Sequence, residues 1–396
     1  MGTLFATSIG QSDDSSALGR TLTTEATGKL GKAPNLAVVF ASSTQNYARL
    51  LKGVRDALGN TPMIGCSTAG EFTEERISKS GAACALIASD TMRFSLGLGK
   101  NLRASPEQAF EQALANLPLS PQPEYPHRTA LLLMDGLTGS GDDVMAAAQQ
   151  RFGADVFVAG GAAGDNLAFH ATHIFYNWNI YTDALLCCLI HSKTPLRPIV
   201  THGHFPFNKV MTVTKSDKNR VYQIDQKNAW EVWKEATLPR RKEASFTDEV
   251  LDNPASLSQF FPHFEMGIIE HETIYKLRAI LTKQADGSLD FAGHVPEGSK
   301  FRVMYSDQAS QLISMERAAK FAKASMKHPT VGALIFDCAA RSAVLGDEFY
   351  RSLQTFTQTF EKMPFLGFET YGEMCSDAFH FHGFLNGTCV MLLIPD

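Results

Sequence analysis

Apolar positions along this chain fall into short unbroken runs, not into the alternation of a one-sided sheet. Leu36 to Ala41, Ala130 to Met134 and Val331 to Phe336 are apolar at nearly every position, as are Ala82 to Ile87, Ala184 to Ile190 and Cys389 to Ile394. Such runs predict strands covered on both faces by helices. Between them, apolar residues recur at helical spacing: Tyr47, Leu50, Leu51, Val54 and Leu58 in one stretch, Phe110, Leu114 and Leu117 in a second, Phe349, Leu353, Phe356 and Phe360 in a third. Ser105-Pro106-Glu107-Gln108 supplies a good N-cap, a proline suited to the first helical position and a Gln able to close a capping box. Strand-like runs at Leu4 to Ser8, Met92 to Leu98 and Phe301 to Ser306 are expected to open three units, each followed by a polar cap and a first helix.

The order of elements is therefore written three times. Each copy carries the same turn: GCSTAGE at Gly65 to Glu71, GGAAGD at Gly160 to Asp165 and GFETYGE at Gly367 to Glu373. About thirty to thirty-six residues separate each second strand from its Gly-acid pair, and an apolar closing strand follows. The period of roughly ninety to a hundred residues is too long for a common solenoid repeat, so duplication of a small domain is the better explanation. The expected fold is α/β: layered sheets flanked by helices, built from three related β-α-β-α-turn-β units with an inserted module. Residues 1–198 hold two units; residues 199–396 hold the insert, about 199–298, and the third unit, about 299–396. The insert has strand signals at Lys209 to Lys215 and Arg220 to Ile224 and a helix around Ala229 to Ala236, and its Pro239 to Pro262 segment is expected to be a mobile loop.

Composition narrows the function classes. The chain has 396 residues, 44% hydrophobic and 19% charged, with a net charge of -5. That balance gives no attraction to nucleic acid or an anionic membrane, and the one basic cluster, Arg240-Arg241-Lys242, reads as a solvated loop. No apolar stretch is long enough for a spanning helix and the N-terminus has no leader pattern, so a cytoplasmic location is expected. Seven Cys, mostly inside apolar strands, read as core residues and not as a disulfide framework. Neither a Walker-type loop nor a GxGxxG opening a helix is present, and neither Cys66 nor Cys338 has a nameable base, so the protein is not expected to be an enzyme.

The candidate chemistry lies at the turns and the histidines. Gly permits close backbone approach, and Glu71, Asp165 and Glu373 either face a shared cavity or satisfy neighbouring backbone amides. Ser67, Thr68 and Tyr371 add hydroxyls suited to orienting a small polar ligand, and Arg341 can pair with a ligand carboxylate or with Glu373. Three histidine pairs stand out among twelve: His170 with His173, His202 with His204 and His380 with His382. The two His-x-His pairs point to one face of a strand and could chelate a metal.

With the three turns in this order and FDCAAR (Phe336 to Arg341) between the last two, the chain resembles the FIST family of bacterial and archaeal sensory proteins. Met211-Thr-Val-Thr214, Val221 to Asp225 and the closing Thr388 to Pro395 segment extend the likeness over nearly the whole length. The resemblance implies signal input: FIST domains are regarded as small-ligand sensors, alone or attached to kinases, cyclases and chemotaxis modules. A stand-alone chain is similar to haem-containing, nitric-oxide-sensing members that act on a separate histidine kinase or on a diguanylate cyclase or phosphodiesterase. Other members were proposed to bind amino acids or related metabolites, and a ligand-free interaction protein is the remaining alternative. A haem b here would be noncovalent, because no Cys-x-x-Cys-His motif is present. The aromatic segment Phe169 to Tyr181 and His202 to Phe207 would line its pocket, with His204 and His170 as leading axial candidates and His202 and His173 behind them. A homo-oligomer is compatible with this reading. Leu385 stands where the family often has His in a Phe-His-Asn-x-Thr run, so no role is carried over to it.

Overall fold

In the computed structural model, which describes residues 2–244, 246–271, 273–361, 363–376 and 382–396, the three units form three equivalent sheets. The first sheet runs, side by side, Thr3–Gly10, Ala82–Ser89, Leu36–Ser42 and Met63–Thr68. The second repeats this as Met92–Lys100, Ala184–Ser192, His127–Met134 and Val156–Ala162, and the third as Pro198–Thr201, Cys389–Pro395, Thr330–Cys338 and Phe365–Thr370. In each, the closing strand pairs antiparallel with the opening and second strands, and the second and third strands are parallel.

The Gly-acid turn is the point where each chain segment leaves its own sheet. After it, unit one sends Glu71–Thr73 and Ile77–Ser78 onto the third sheet, unit two sends Ile174–Tyr176 and Asn179–Tyr181 onto the first, and unit three sends Glu373–Ser376 and His382–Leu385 onto the second. Each donated hairpin covers the third strand of its neighbour, which would otherwise present unpaired backbone groups. The exchange closes a ring. Inner faces of the three sheets share one core, in which Phe40, Phe336 and Phe368 meet Leu133 and Ala159, with Phe40 and Phe368 ring centroids 4.5 Å apart. Outer faces are covered by each unit's own helices, Ser15–Leu30 and Tyr47–Leu58 in the first unit, so the strands are apolar on both sides as their sequence predicts.

Three expectations are corrected. The third unit opens with Pro198–Thr201, not with Phe301 to Ser306; Lys300–Tyr305 lies in the insert's own sheet, between Phe264–His271 and Met211–Asp217. An apolar run directly before a capped helix has the local signature of an opening strand, whereas four residues paired with the distant Cys389–Pro395 strand do not. The insert thus interrupts the third unit between its opening strand and its first helix, Gln308–Ser325. The segment expected to be a loop is helical: Ala229–Glu243 continues through Pro239, followed by Asp248–Asp252 and Pro254–Phe260. It buries Arg241, Leu257 and Phe260 against the insert core around Trp233 and Phe301. Ser105 does occupy the N-cap position with Pro106 following, but its side chain makes no capping hydrogen bond.

Candidate functional site

The three Gly-acid turns meet at the centre of the ring. Gly164 N–H donates to Ser67 O at 3.0 Å, Ala69 N–H to Glu369 O at 3.1 Å, Glu369 N–H to Gly70 O at 2.7 Å, and Ala162 N–H to Gly372 O at 2.8 Å. A Cβ on Gly164 would lie 2.6 Å from the Ala69 nitrogen, so this crossing admits no side chain. The acids spend their oxygens on the chain. Glu71 accepts from Ser42 Oγ at 2.9 Å, Thr68 Oγ1 at 2.8 Å and Gly81 N–H at 3.2 Å. Glu373 accepts from Thr370 Oγ1, and from Thr388 Oγ1 at 2.7 Å and its N–H at 3.1 Å. Asp165 accepts from the N–H groups of Phe169, His170 and Ala171 at 2.9, 2.7 and 3.0 Å and from the Tyr371 hydroxyl at 2.5 Å. Ser67 Oγ accepts from His173 N–H at 2.9 Å.

This polar hub titrates near neutrality. Burial pushes Glu71 up to about 7 and Glu373 up to about 8 against the pull of their hydroxyl donors. A carboxyl raised in this way contributes stability that is complete below its ordinary value of 4.5 and is lost as pH rises through the folded value. Burial also holds His202 down to about 4 and His204 down to about 3, so the stability they contribute is lost only as pH falls below 6.5. Between pH 6.5 and 8 raised buried carboxyls set the slope, Glu265 among them, and the part due to Glu71 and Glu373 is expected to be a fall of about 2 kcal/mol. Glu373→Gln should remove most of that loss; a urea midpoint that stays constant over this range in the parent protein would contradict it.

Arg341 lies away from the turns' acids. Its guanidinium is fully buried, with Nε 2.7 Å from Asp337 Oδ1 and Nη1 bonded to Gln311 Oε1, and it forms no pair with Glu373. Gln311 Oε1 also accepts from Gly203 N–H at 3.1 Å, and its amide nitrogen donates to Ser306 Oγ at 3.0 Å. Cys338, before the helix that carries Arg341, is buried and its thiol is pushed up by burial and by Glu373 and Glu265, away from thiolate chemistry.

The structure separates the candidate histidines. His170 is exposed and His173 half-buried on the segment that Asp165 anchors, where His173 packs its ring 5.1 Å from that of Tyr47. His204 is buried, with Nε2 3.1 Å from Pro262 O and 3.0 Å from Ser306 Oγ and Nδ1 3.5 Å from Gln311 Nε2. His202, half-buried, lines a groove. The His380 side of the third pair lies outside the described residues. Among the described residues no three His, Cys, Asp or Glu side chains cluster as a metal site.

That groove has a volume of about 850 Å³. It runs along the third unit's opening strand and first helix, and His127 and Phe157 of the second unit also line it. Its apolar surface comes from residues such as Ile199, Val200, Ala318 and Phe321, the last 65% exposed. Arg197, Arg317 and Lys327 and the imidazoles of His127, His202 and His328 supply its polar groups, and no carboxylate is among the described lining residues. The opening strand here has 4 residues against 8 and 9 in the other two units, which leaves the helix beside it partly uncovered. Apart from His202, sequence reasoning missed this site. The signal was present in Thr194-Pro195-Leu196-Arg197-Pro198, whose prolines cut the strand short.

Residues 35–227 match the model of the FIST N domain and residues 229–376 that of the FIST C domain. The two matches meet inside the insert. None of the curated proteins matches the chain. Among solved structures, the crystal structure of a cyanuric acid hydrolase from A. caulinodans aligns with a TM-score of 0.28 and 10% identity, over 49% of this chain and 72% of that one.

Proposed function

Taking as premise that this chain belongs to the FIST family and carries its N and C domains in tandem, we propose that it is a cytoplasmic small-ligand sensor whose ligand lies in the groove. The proposed ligand is haem b, held noncovalently as a nitric oxide receptor, and the proposed partner is a histidine kinase, or a diguanylate cyclase or phosphodiesterase. The observation that carries this reading is the groove's composition: an apolar surface, a cationic rim without acids, and His202 within it.

The residues fit the group. A haem presents a flat apolar body and two carboxylates; Ile199, Val200 and Phe321 suit the first, and Arg197, Arg317 and Lys327 the second. His202 stays neutral well below physiological pH because burial and Arg341 disfavour its charged form, which is the state an iron ligand needs. Bound haem would supply the iron to which nitric oxide binds. The chain's own part is to exclude water from one face, hold the propionates and transmit the occupied state. A route is built in: His202 is two residues from His204, whose imidazole touches Pro262 and Ser306 of the insert region.

The test is an absorption spectrum of protein produced with haem supply. A stoichiometric Soret band that shifts with nitric oxide is expected. His202→Ala should abolish that band, whereas His170→Ala should leave it unchanged. A featureless spectrum of the parent protein would refute the haem reading.

A further inference from the structure

The groove lies where the third sheet is unfinished. In the first two units the opening strand pairs with the closing strand along its whole length, eight residues in one and nine in the other. In the third, Pro198–Thr201 pairs only with residues 389–392 of the seven-residue closing strand Cys389–Pro395. Leu393 and Pro395, beyond that pairing, line the groove. Peptide groups along a strand point alternately to its two neighbours. Cys338 N–H donates to Thr388 O, so Thr388, Val390 and Leu392 turn their backbone groups to the second strand, and Cys389, Met391 and Leu393 turn theirs to the opening strand's side. Opposite Leu393 the opening strand has no paired residue. By the same alternation Ile199 and Thr201 face the closing strand, which leaves the Val200 N–H and C=O on the open edge of the sheet.

Outward donors and acceptors at a strand edge are recognised by another extended chain, through main-chain hydrogen bonds that hold it and side chains read alternately on two faces. Ala318 and Phe321 of the helix Gln308–Ser325 supply apolar surface from the third unit, and Phe157 supplies it from the second, with the Arg197 guanidinium 5.6 Å above its ring. The groove's cations, Arg197, Arg317 and Lys327, are joined by no carboxylate among the described lining residues, so the charge that complements them is negative. We infer that the groove is the docking site of the protein partner, which adds an extended segment of alternating apolar and acidic residues to the third sheet as an extra strand beside Val200 and Leu393. The segment and a ligand in the groove cover the same surface at Ile199, Val200 and Phe321, so each excludes the other and ligand binding releases the partner. That exclusion rests on the haem reading of the groove; the strand site does not.

The test is fluorescence anisotropy of a short labelled peptide of alternating valine and glutamate, titrated with the haem-free full chain. Saturable binding is expected, about tenfold weaker for the counterpart with lysine in place of glutamate. Methylating alternate peptide nitrogens, which removes backbone donors and leaves the charge, should weaken it by about tenfold as well. Val200→Pro deletes an outward N–H and no bond to the closing strand, so it should keep the parent's Tm and lose about tenfold in affinity; Phe321→Asp should lose binding too. Haem should displace the peptide from the parent protein, and His202→Ala should bind the peptide as the parent does while lacking the Soret band. A featureless spectrum beside intact peptide binding supports the strand site and refutes the haem reading alone. Absence of saturable binding, equal affinity for the lysine peptide, or undiminished binding of the methylated one overturns the strand site, and peptide that stays bound at saturating haem overturns the exclusion. Self-association of the chain that Phe321→Asp abolishes, or binding of phosphatidylglycerol vesicles in place of the peptide, would assign the groove to a second copy or to a membrane surface and overturn the inference.

Discussion

Arg341→Met is expected to destabilise the protein by about 3–5 kcal/mol, the range for removing one partner of a buried ion pair. The side chains of Arg341 and Asp337 are both fully buried and 2.7 Å apart. Burial raises Asp337, and the Arg341 guanidinium is what opposes that rise. Without the guanidinium, Asp337 must either keep a costly charge or take up a proton, and Gln311 Oε1 loses a charged donor. Gln311 also holds Gly203 and Ser306, so the loss spreads to the start of the insert. Arg341→Lys should recover little, because an ammonium cannot bond Asp337 and Gln311 as a planar fork does. Asp337→Asn combined with Arg341→Met should recover much of the loss, since the orphaned charge is then gone. Urea denaturation of the three variants measures this; a loss below about 1 kcal/mol for Arg341→Met would show that the pair is dispensable.

Why some of this was legible in the sequence follows from the range of the interactions. Leu36 to Ala41 and its two counterparts announce buried strands by local composition alone, and Tyr47 to Leu58 shows its helical face within a few turns. The threefold order follows from repeating such local signals. The hairpin exchange does not, because Glu71–Thr73 pairs with Phe365–Thr370 some three hundred residues away and nothing in EFT names that partner. The same limit misplaced the third unit's opening strand. At the site, the reading of Glu71, Asp165 and Glu373 left open a cavity or satisfied amides; the hydrogen bonds to Thr68, Thr388 and the 169–171 backbone fill their oxygens from within the chain. Histidine spacing was equally silent on surroundings. His202 and His204 are two residues apart, yet one lines a groove and the other is enclosed by Pro262, Ser306 and Gln311, a difference set by the insert and not by the His-x-His pattern.

Asp142→Ala should cost about as much as the loss of Arg341, about 3–5 kcal/mol, but the damage should appear between units and not within one. Asp142 opens the helix Gly141–Phe152 of the second unit and reaches into the insert, where it accepts from Arg278 Nη2 at 2.6 Å, Lys276 Nζ at 3.2 Å and His294 N–H at 2.8 Å. Burial works against its charge, but Arg278 and Lys276 hold the carboxyl below its ordinary range. Its contribution is therefore present at neutral pH and lost as pH falls through the folded value. Removing it leaves two cations facing each other, and Arg278, only 2% exposed, cannot turn to water. Arg278 also donates to Phe384 O at 2.9 Å, so the hairpin that unit three gives to the second sheet shares the anchor. Hydrogen exchange should rise first in residues 264–305 and in Gly383 to Leu385, while the strands at Leu36 to Ser42 and Thr330 to Cys338 stay protected. Uniform exchange across the chain would mean that the insert unfolds only together with the ring. Local release would identify Asp142 as the joint through which a change of packing at the insert reaches the two-unit half, which is the mechanical step a sensor of this architecture needs.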